Sequence, residues 1–199
     1  MKKDFNAAVA ERRSFYGISK EAVVSDDKIR EIIEHAVKYT PSAFNSQSAR
    51  VVLLLGQQHD KLWDIAMEAL RKIVPADKFK PTEDKINSFK NGYGTVLFFE
   101  DNSVVEGLQA QFPLYKDNFP VWSQQSSGMH QFVVWTALEI EGFGVSLQHY
   151  NELIEAEVKN EWSIPSNWKL IGQMPFGKPT AQPEEKQFKP LEERIKVFK

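Results

Sequence analysis

Two arginines and a serine in succession, Arg12-Arg13-Ser14 within ERRSFYGISK, carry the first chemistry legible in this chain. Cations and a hydroxyl at the end of a helical pattern can satisfy the last helical carbonyls, or they can gather an anion through charge-assisted hydrogen bonds. A second polar group, TPSAFNSQS (40–48), places Pro41, Ser42, Asn45 and Gln47 just before an apolar run. Alone, it reads as a turn whose Ser and Asn bond their own backbone. Other chemistries lack their residues. The four histidines, His35, His59, His130 and His149, have no metal-ligand spacing, so no metal is expected. With no cysteine there is no disulfide, thiolate nucleophile or iron–sulfur cluster. Gly-x-Ser-x-Gly, Gly-x-Gly-x-x-Gly and Walker patterns are absent, so side chains would have to hold any phosphate.

The elements that position these groups follow from periodicity. Residues 3–13 and 26–39 read as helices, the second capped by Ser25 and ended by Pro41. VVLLLG (51–56) and TVLFFED (95–101) read as strands, the first of the kind buried on both faces. HDKLWDIAMEALRKIV between them has helical spacing, and the neighbourhood of Pro75 and Pro81 reads as a surface connection. WSQQSSGMHQFVVWTALEIE (122–141) is apolar around most of its circumference, so it is either central or covered by another subunit. Gly142 ends it, with strands expected at 142–150 and 168–177. KPTAQPEEKQFK (178–189) has neither period and must be tied down by something else.

The whole chain sets outer limits. Its 199 residues, 42% hydrophobic, suffice for one domain with a sizeable core. A net charge of −2 lacks the basic excess of a nucleic-acid surface. The start is no signal peptide and no run of ~18 apolar residues occurs, so a soluble, cytoplasmic protein with no membrane partner is expected.

The pairing of Arg-Arg-Ser with Pro-Ser-x-x-Asn-x-Gln before a strand resembles the nitroreductase family of FMN-dependent oxidoreductases. The later order agrees with it: a long apolar helix, Gly-Phe-Gly-Val-Ser-Leu, and a proline-rich tail with lysines. The segments WSQQSSGMHQFVVWTALE, SLQHY and EKQFKPLEERIKVF resemble one branch, that of the fungal fatty-acid-repression-mutant proteins and bacterial copper-induced nitroreductases.

The resemblance implies an α+β, three-layer fold with a central, mostly antiparallel sheet flanked by helices. It implies one domain over 1–199, with 178–199 an extension wrapping the partner of an intertwined homodimer that has two FMN sites at its interface. By the family pattern Arg12, Arg13 and Ser14 contact the FMN phosphate and ribityl chain, helped by Lys186 and Lys189, while Ser42, Asn45 and Gln47 reach the same flavin from the other subunit. Gln148, His149 and Tyr150, at the end of the third strand, lie against the isoalloxazine ring, and Ser126 approaches it from the central helix. Tyr16 stands where many relatives carry a cation near the flavin pyrimidine edge, and Phe188 where an arginine is frequent. Phe44, Phe112, Phe119 and Trp122 are candidate walls of the acceptor pocket, or simply core. The implied activity is hydride transfer from NAD(P)H through the flavin to nitroaromatic, quinone or similar acceptors. The alternatives are a flavin-binding regulatory or interaction protein in lipid or stress signalling, and a flavin-free helical dimerisation module.

Overall fold

The computed structural model describes residues 4–199. Helix α1, Phe5–Glu11, is capped by the Asp4 carboxylate, which accepts from the Ala7 N–H. The expected helix 3–13 is thus shorter at its end, and its first residue, Lys3, lies outside the described residues. Arg12 is the C-cap, its N–H bonding the Ala8 carbonyl. Strand β1, Ile18–Ser19, leads to α2, Asp26–Tyr39, capped by Ser25.

Strands β2 (Ala49–Leu55) and β3 (Gly94–Asp101) pair antiparallel, Ala49 opposite Glu100. Between them lie α3 (Gln57–Arg71) and α4 (Lys80–Lys90). The second replaces the expected surface connection. Pro81 sits in its first turn, where the missing N–H costs nothing, and only Ile86 and Phe89 are buried, too few to show a period. Helices α5 (Asn102–Gln111) and α6 (Phe119–Ile140) follow. The strand expected at 142–150 shrinks to β4, Gly144–Val145, after which the chain is irregular and meets the sheet again at a Gln148–Gln173 bridge. Helix α7 (Asn151–Glu161) leads to β5, Trp168–Pro179.

The sheet order is β1-β5-β3-β2, with β4 also on β5, and all these pairings are antiparallel. Alternate residues of β3 serve opposite faces. Leu97 and Phe99 pack with Trp63 of α3, Phe89 of α4 and Ile154 of α7; Val96 and Phe98 pack with Ile29 and Ile33 of α2 and Val134 and Leu138 of α6. Helices on both faces are why β3 is buried throughout and runs apolar without a break from Val96 to Phe99. The other apolar strand departs from expectation: β2 is the outer strand, and only Leu54 is buried there. Among the described residues no helix is long and apolar enough to cross a membrane.

Candidate functional site

Ser14 forms a parallel bridge with Val145, and the Phe15 N–H donates to the Val145 carbonyl at 2.9 Å. The segment from Arg12 to Tyr16 therefore runs beside Gly144 to Gln148, in the same direction. The close approach requires glycine at 144, where a Cβ would come within 2.9 Å of that of Phe15. At one end of this double track a cavity of about 570 Å³ is lined by Arg12, Arg13, Ser14, Tyr16, Gln182 and Lys186. Three cations face one carboxylate there, Glu184, whose main-chain carbonyl accepts from the Arg13 guanidinium. Arg12 stacks on Trp135 at 4.4 Å, and Trp135 donates to the Glu139 carboxylate.

A neighbouring cavity of about 660 Å³ shares Arg12, Arg13 and Lys186, and on its wall the Thr136 Oγ1 is buried without a hydrogen-bond partner. Lys189 lines neither cavity, and the Phe188 ring is covered by the Lys186 ammonium at 5.4 Å. A phosphate fits this cationic set, and volumes of this order suit a small cofactor. Tyr16, on the edge of the first cavity, packs near Phe89, and burial, reinforced by Tyr16, raises the Tyr150 phenol pKa. Gln148 is buried and His149 exposed, the latter on a polar groove of about 720 Å³ that also includes Gln124 and Lys169.

The TPSAFNSQS segment forms a strained turn. Phe44, Asn45 and Gln47 have φ of 56°, 50° and 49°. Left-handed backbone costs a residue with a side chain about 1–3 kcal/mol and concentrates at functional sites. Ser42 does what a turn serine does, its hydroxyl accepting from the Gln47 N–H at 3.0 Å. The turn thrusts Phe44, 51% exposed, onto Phe112 (5.1 Å), Phe119 (5.2 Å) and Trp122 (5.8 Å, stacked). All four proposed wall residues thus form one aromatic group. Tyr115 joins it at 6.1 Å from Phe44, a member the sequence reading missed because only its place in the loop before α6 brings it in. Phe119 is buried and serves the core. Ser126 is also buried, its hydroxyl donating to the Trp122 carbonyl.

Behind the turn lies a polar network that the sequence did not announce. Ser48 donates to the Glu100 Oε2 at 2.6 Å, and the Asp101 N–H donates to the Ser48 carbonyl. Glu100 is 1% exposed and its Oε1 has no partner. Burial pushes its pKa up to about 7 against the opposing Ser48 bond and Arg50 charge. Arg50 donates to the Gln47 carbonyl and to the Asp101 carboxylate, both at 2.8 Å. Burial opposes the ionisation of Asp101, but bonds from Ser103 and Asn167 outweigh it with the Arg50 charge and hold its pKa low.

One chain does not bring the two motifs together. The turn meets α6 at Trp122 and Arg12 meets it at Trp135, thirteen residues apart, or ~20 Å at 1.5 Å per residue.

Comparison with known proteins gives this geometry a context. A family model described as "Nitroreductase family" matches residues 9–178. The Saccharomyces cerevisiae protein HBN1 is 36% identical over 189 residues, covering 94% of this chain and 93% of its own; nitroreductase FRM2 of the same yeast is 35% identical, covering 91% of each. The structure of nitroreductase CinD from Lactococcus lactis with chloramphenicol superposes with a TM-score of 0.90 at 43% identity, covering 98% of this chain and 100% of that one. CinD has also been solved with 4-nitrophenol and with nicotinic acid.

Proposed function

The chain belongs to the nitroreductase family, and from that premise we propose that it is an FMN-dependent oxidoreductase working as a homodimer, with each flavin site shared between two copies. The observation that carries the reading is the convergence of Arg12, Arg13, Ser14, Tyr16 and Lys186 on one cavity. Arg12, Arg13 and Lys186 would bind the phosphate, with Ser14 on the ribityl chain. Tyr16, Gln148 and Tyr150 lie further along the double track, where the ring would follow, and Tyr16 offers it a phenol in place of a cation. When bound, FMN supplies the redox chemistry, taking hydride from NAD(P)H and delivering it to an electron-poor acceptor.

The second copy enters because Asn45 and Gln47 lie ~20 Å along α6 from the cations of their own chain, and a two-fold pair can join them to the partner's cations. The Phe44, Phe112, Tyr115 and Trp122 rings supply flat apolar surface suited to a planar acceptor. Nitroaromatics are the acceptor class of choice, in keeping with CinD having been solved with chloramphenicol and 4-nitrophenol.

An absorption spectrum of the purified protein tests the cofactor, and NADH or NADPH consumption with 4-nitrophenol or a quinone tests turnover. We expect a yellow protein whose heat-released cofactor chromatographs as FMN, with acceptor-dependent oxidation. A colourless protein that FMN does not reconstitute refutes the reading, and a yellow one without turnover supports the regulatory alternative.

A further inference from the structure

No glycine stands between Ala43 and Ser48, yet Phe44, Asn45 and Gln47 all hold left-handed backbone. Something outside the turn must impose that shape. Its own hydrogen bonds, Asn45 N–H to the Ser42 carbonyl, Ser46 N–H to the Ala43 carbonyl and Gln47 N–H to the Ser42 hydroxyl, close the turn as far as the Gln47 nitrogen and leave the Gln47 carbonyl and Ser48 to be held from elsewhere. The exit is fixed from β3. Ser48 is clamped twice, its carbonyl by the Asp101 N–H and its hydroxyl by Glu100. The Gln47 carbonyl is held by Arg50, which Asp101 orients; Asp101 is held in turn by Ser103 and by Asn167. Glu100 and Asp101, consecutive on β3, thus hold Ser48 directly, and Asp101 holds the Gln47 carbonyl through Arg50.

We propose that Glu100, acting through Ser48, and Asp101, acting through Arg50, are positioning residues that set the Phe44–Gln47 turn in the shape that presents Asn45 and Gln47 to the flavin. The inference rests on the flavin reading above. It assigns to these buried acids a role in cofactor binding distinct from their contribution to stability.

The test uses Ser48→Ala, Glu100→Leu, Glu100→Gln and Arg50→Met in the full-length protein. Two readouts are taken: FMN affinity by flavin fluorescence, at a temperature where each variant keeps its native circular dichroism, and amide hydrogen exchange of the peptide covering 42–48. The positioning role predicts faster exchange in that peptide and FMN binding weakened about tenfold or more in Ser48→Ala, Glu100→Leu and Arg50→Met. Glu100→Gln, which keeps an acceptor for Ser48, recovers most of the loss. The Ser48→Ala/Glu100→Leu double variant is no worse than the poorer single one, since both remove the same bond. Lower unfolding midpoints with exchange or FMN affinity unchanged would overturn the proposal, leaving the network merely structural. Ser48→Ala removes one oxygen atom and keeps the test open if a larger substitution does not fold. A wild-type protein that takes up no FMN sinks the functional reading instead, and the exchange rates alone then decide whether the network shapes the turn.

Discussion

Lowering the pH from 7.5 to 4 should reverse the stability order of wild type and His59→Gln. His59, on α3, is 1% exposed. Its Nε2 faces the Lys90 carbonyl at 3.2 Å and must carry the proton, so Nδ1 accepts from the Thr95 hydroxyl at 2.8 Å. The Thr95 oxygen accepts in turn from the Trp63 indole. A second proton on the imidazole would leave the Thr95 hydroxyl hydrogen without an acceptor, and would place a charge where both side chains are buried. Burial accordingly pushes the His59 pKa down to about 4. The unfolded chain takes up that proton near pH 6.5, so His59 contributes fully above 6.5 and loses its contribution as pH falls through 4. At about 1.4 kcal/mol per unit the loss is about 3 kcal/mol. Glutamine can reach one of the two partners and should cost about 1–2 kcal/mol at pH 7.5. Without the titration, it should then be more stable than wild type by a similar margin at pH 4. Urea unfolding of both proteins at matched concentration across this range measures the difference directly. A gap independent of pH would refute the assignment of His59 as a neutral, fully bonded buried base.

Glu100 titrates with the opposite sign. Its folded pKa of about 7 lies above the unfolded value, so its contribution is complete below about pH 4.5 and about 3 kcal/mol is lost as pH rises through 7; Glu100→Gln should flatten that limb in the same unfolding series. Arg12→Ala should weaken FMN binding ten- to a hundredfold, the equivalent of one charge-assisted contact of about 1.5–3 kcal/mol, by fluorescence titration. If Asn45→Ala also loses FMN, unfolding and refolding it with Arg12→Ala should restore native affinity in up to about a quarter of all sites, since random pairing makes about half the chains heterodimeric and each heterodimer has one intact site; verified heterodimers that recover none would place both motifs in one subunit. Gly94→Ala should lower the unfolding midpoint, by calorimetry, by an amount equivalent to about 1–3 kcal/mol, because the new methyl would meet the Leu55 Cδ2 and Phe176 Cζ at 2.6 Å.

Periodic burial was legible. Helices α2 and α3 lie close to their sequence-read bounds because each repeats apolar residues at the helical period, and α6, β3 and β5 do so because each is a long, largely apolar segment set against a continuous core. Helices α4, α5 and α7 bury two, one and two residues respectively, which is too little for a period to show. The strand expected at 142–150 failed for a different reason: Phe143 and Val145 are buried, but the backbone pairs for only two residues before turning toward Gln173. The site divides the same way. Arg12, Arg13 and Ser14 were legible as a run of like chemistry, but the Glu100–Ser48 bond joins residues 52 apart whose types alone mark neither.

What one chain leaves uncovered bears on the proposed dimer. Apolarity all round α6 required a covering from more than one side, and the core supplies it only at positions such as Val134 and Leu138. Val121, Gly128 and Met129, seven and eight residues apart and so on one stripe, remain exposed. The tail adds to the account, with Phe188 and Phe198 exposed by 74% and 89%. The outer strand β2 is half-buried although its sequence has the apolar run of a strand covered on both faces. All three leave apolar side chains exposed or half-buried, and a second copy carrying the same stripe and the same tail, as in the proposed dimer, would offer each of them an apolar partner. A two-fold pair that covered the α6 stripe could also carry the Asn45 and Gln47 turn toward the partner's cations, so that in the proposed dimer burial and cofactor binding would be satisfied by a single association.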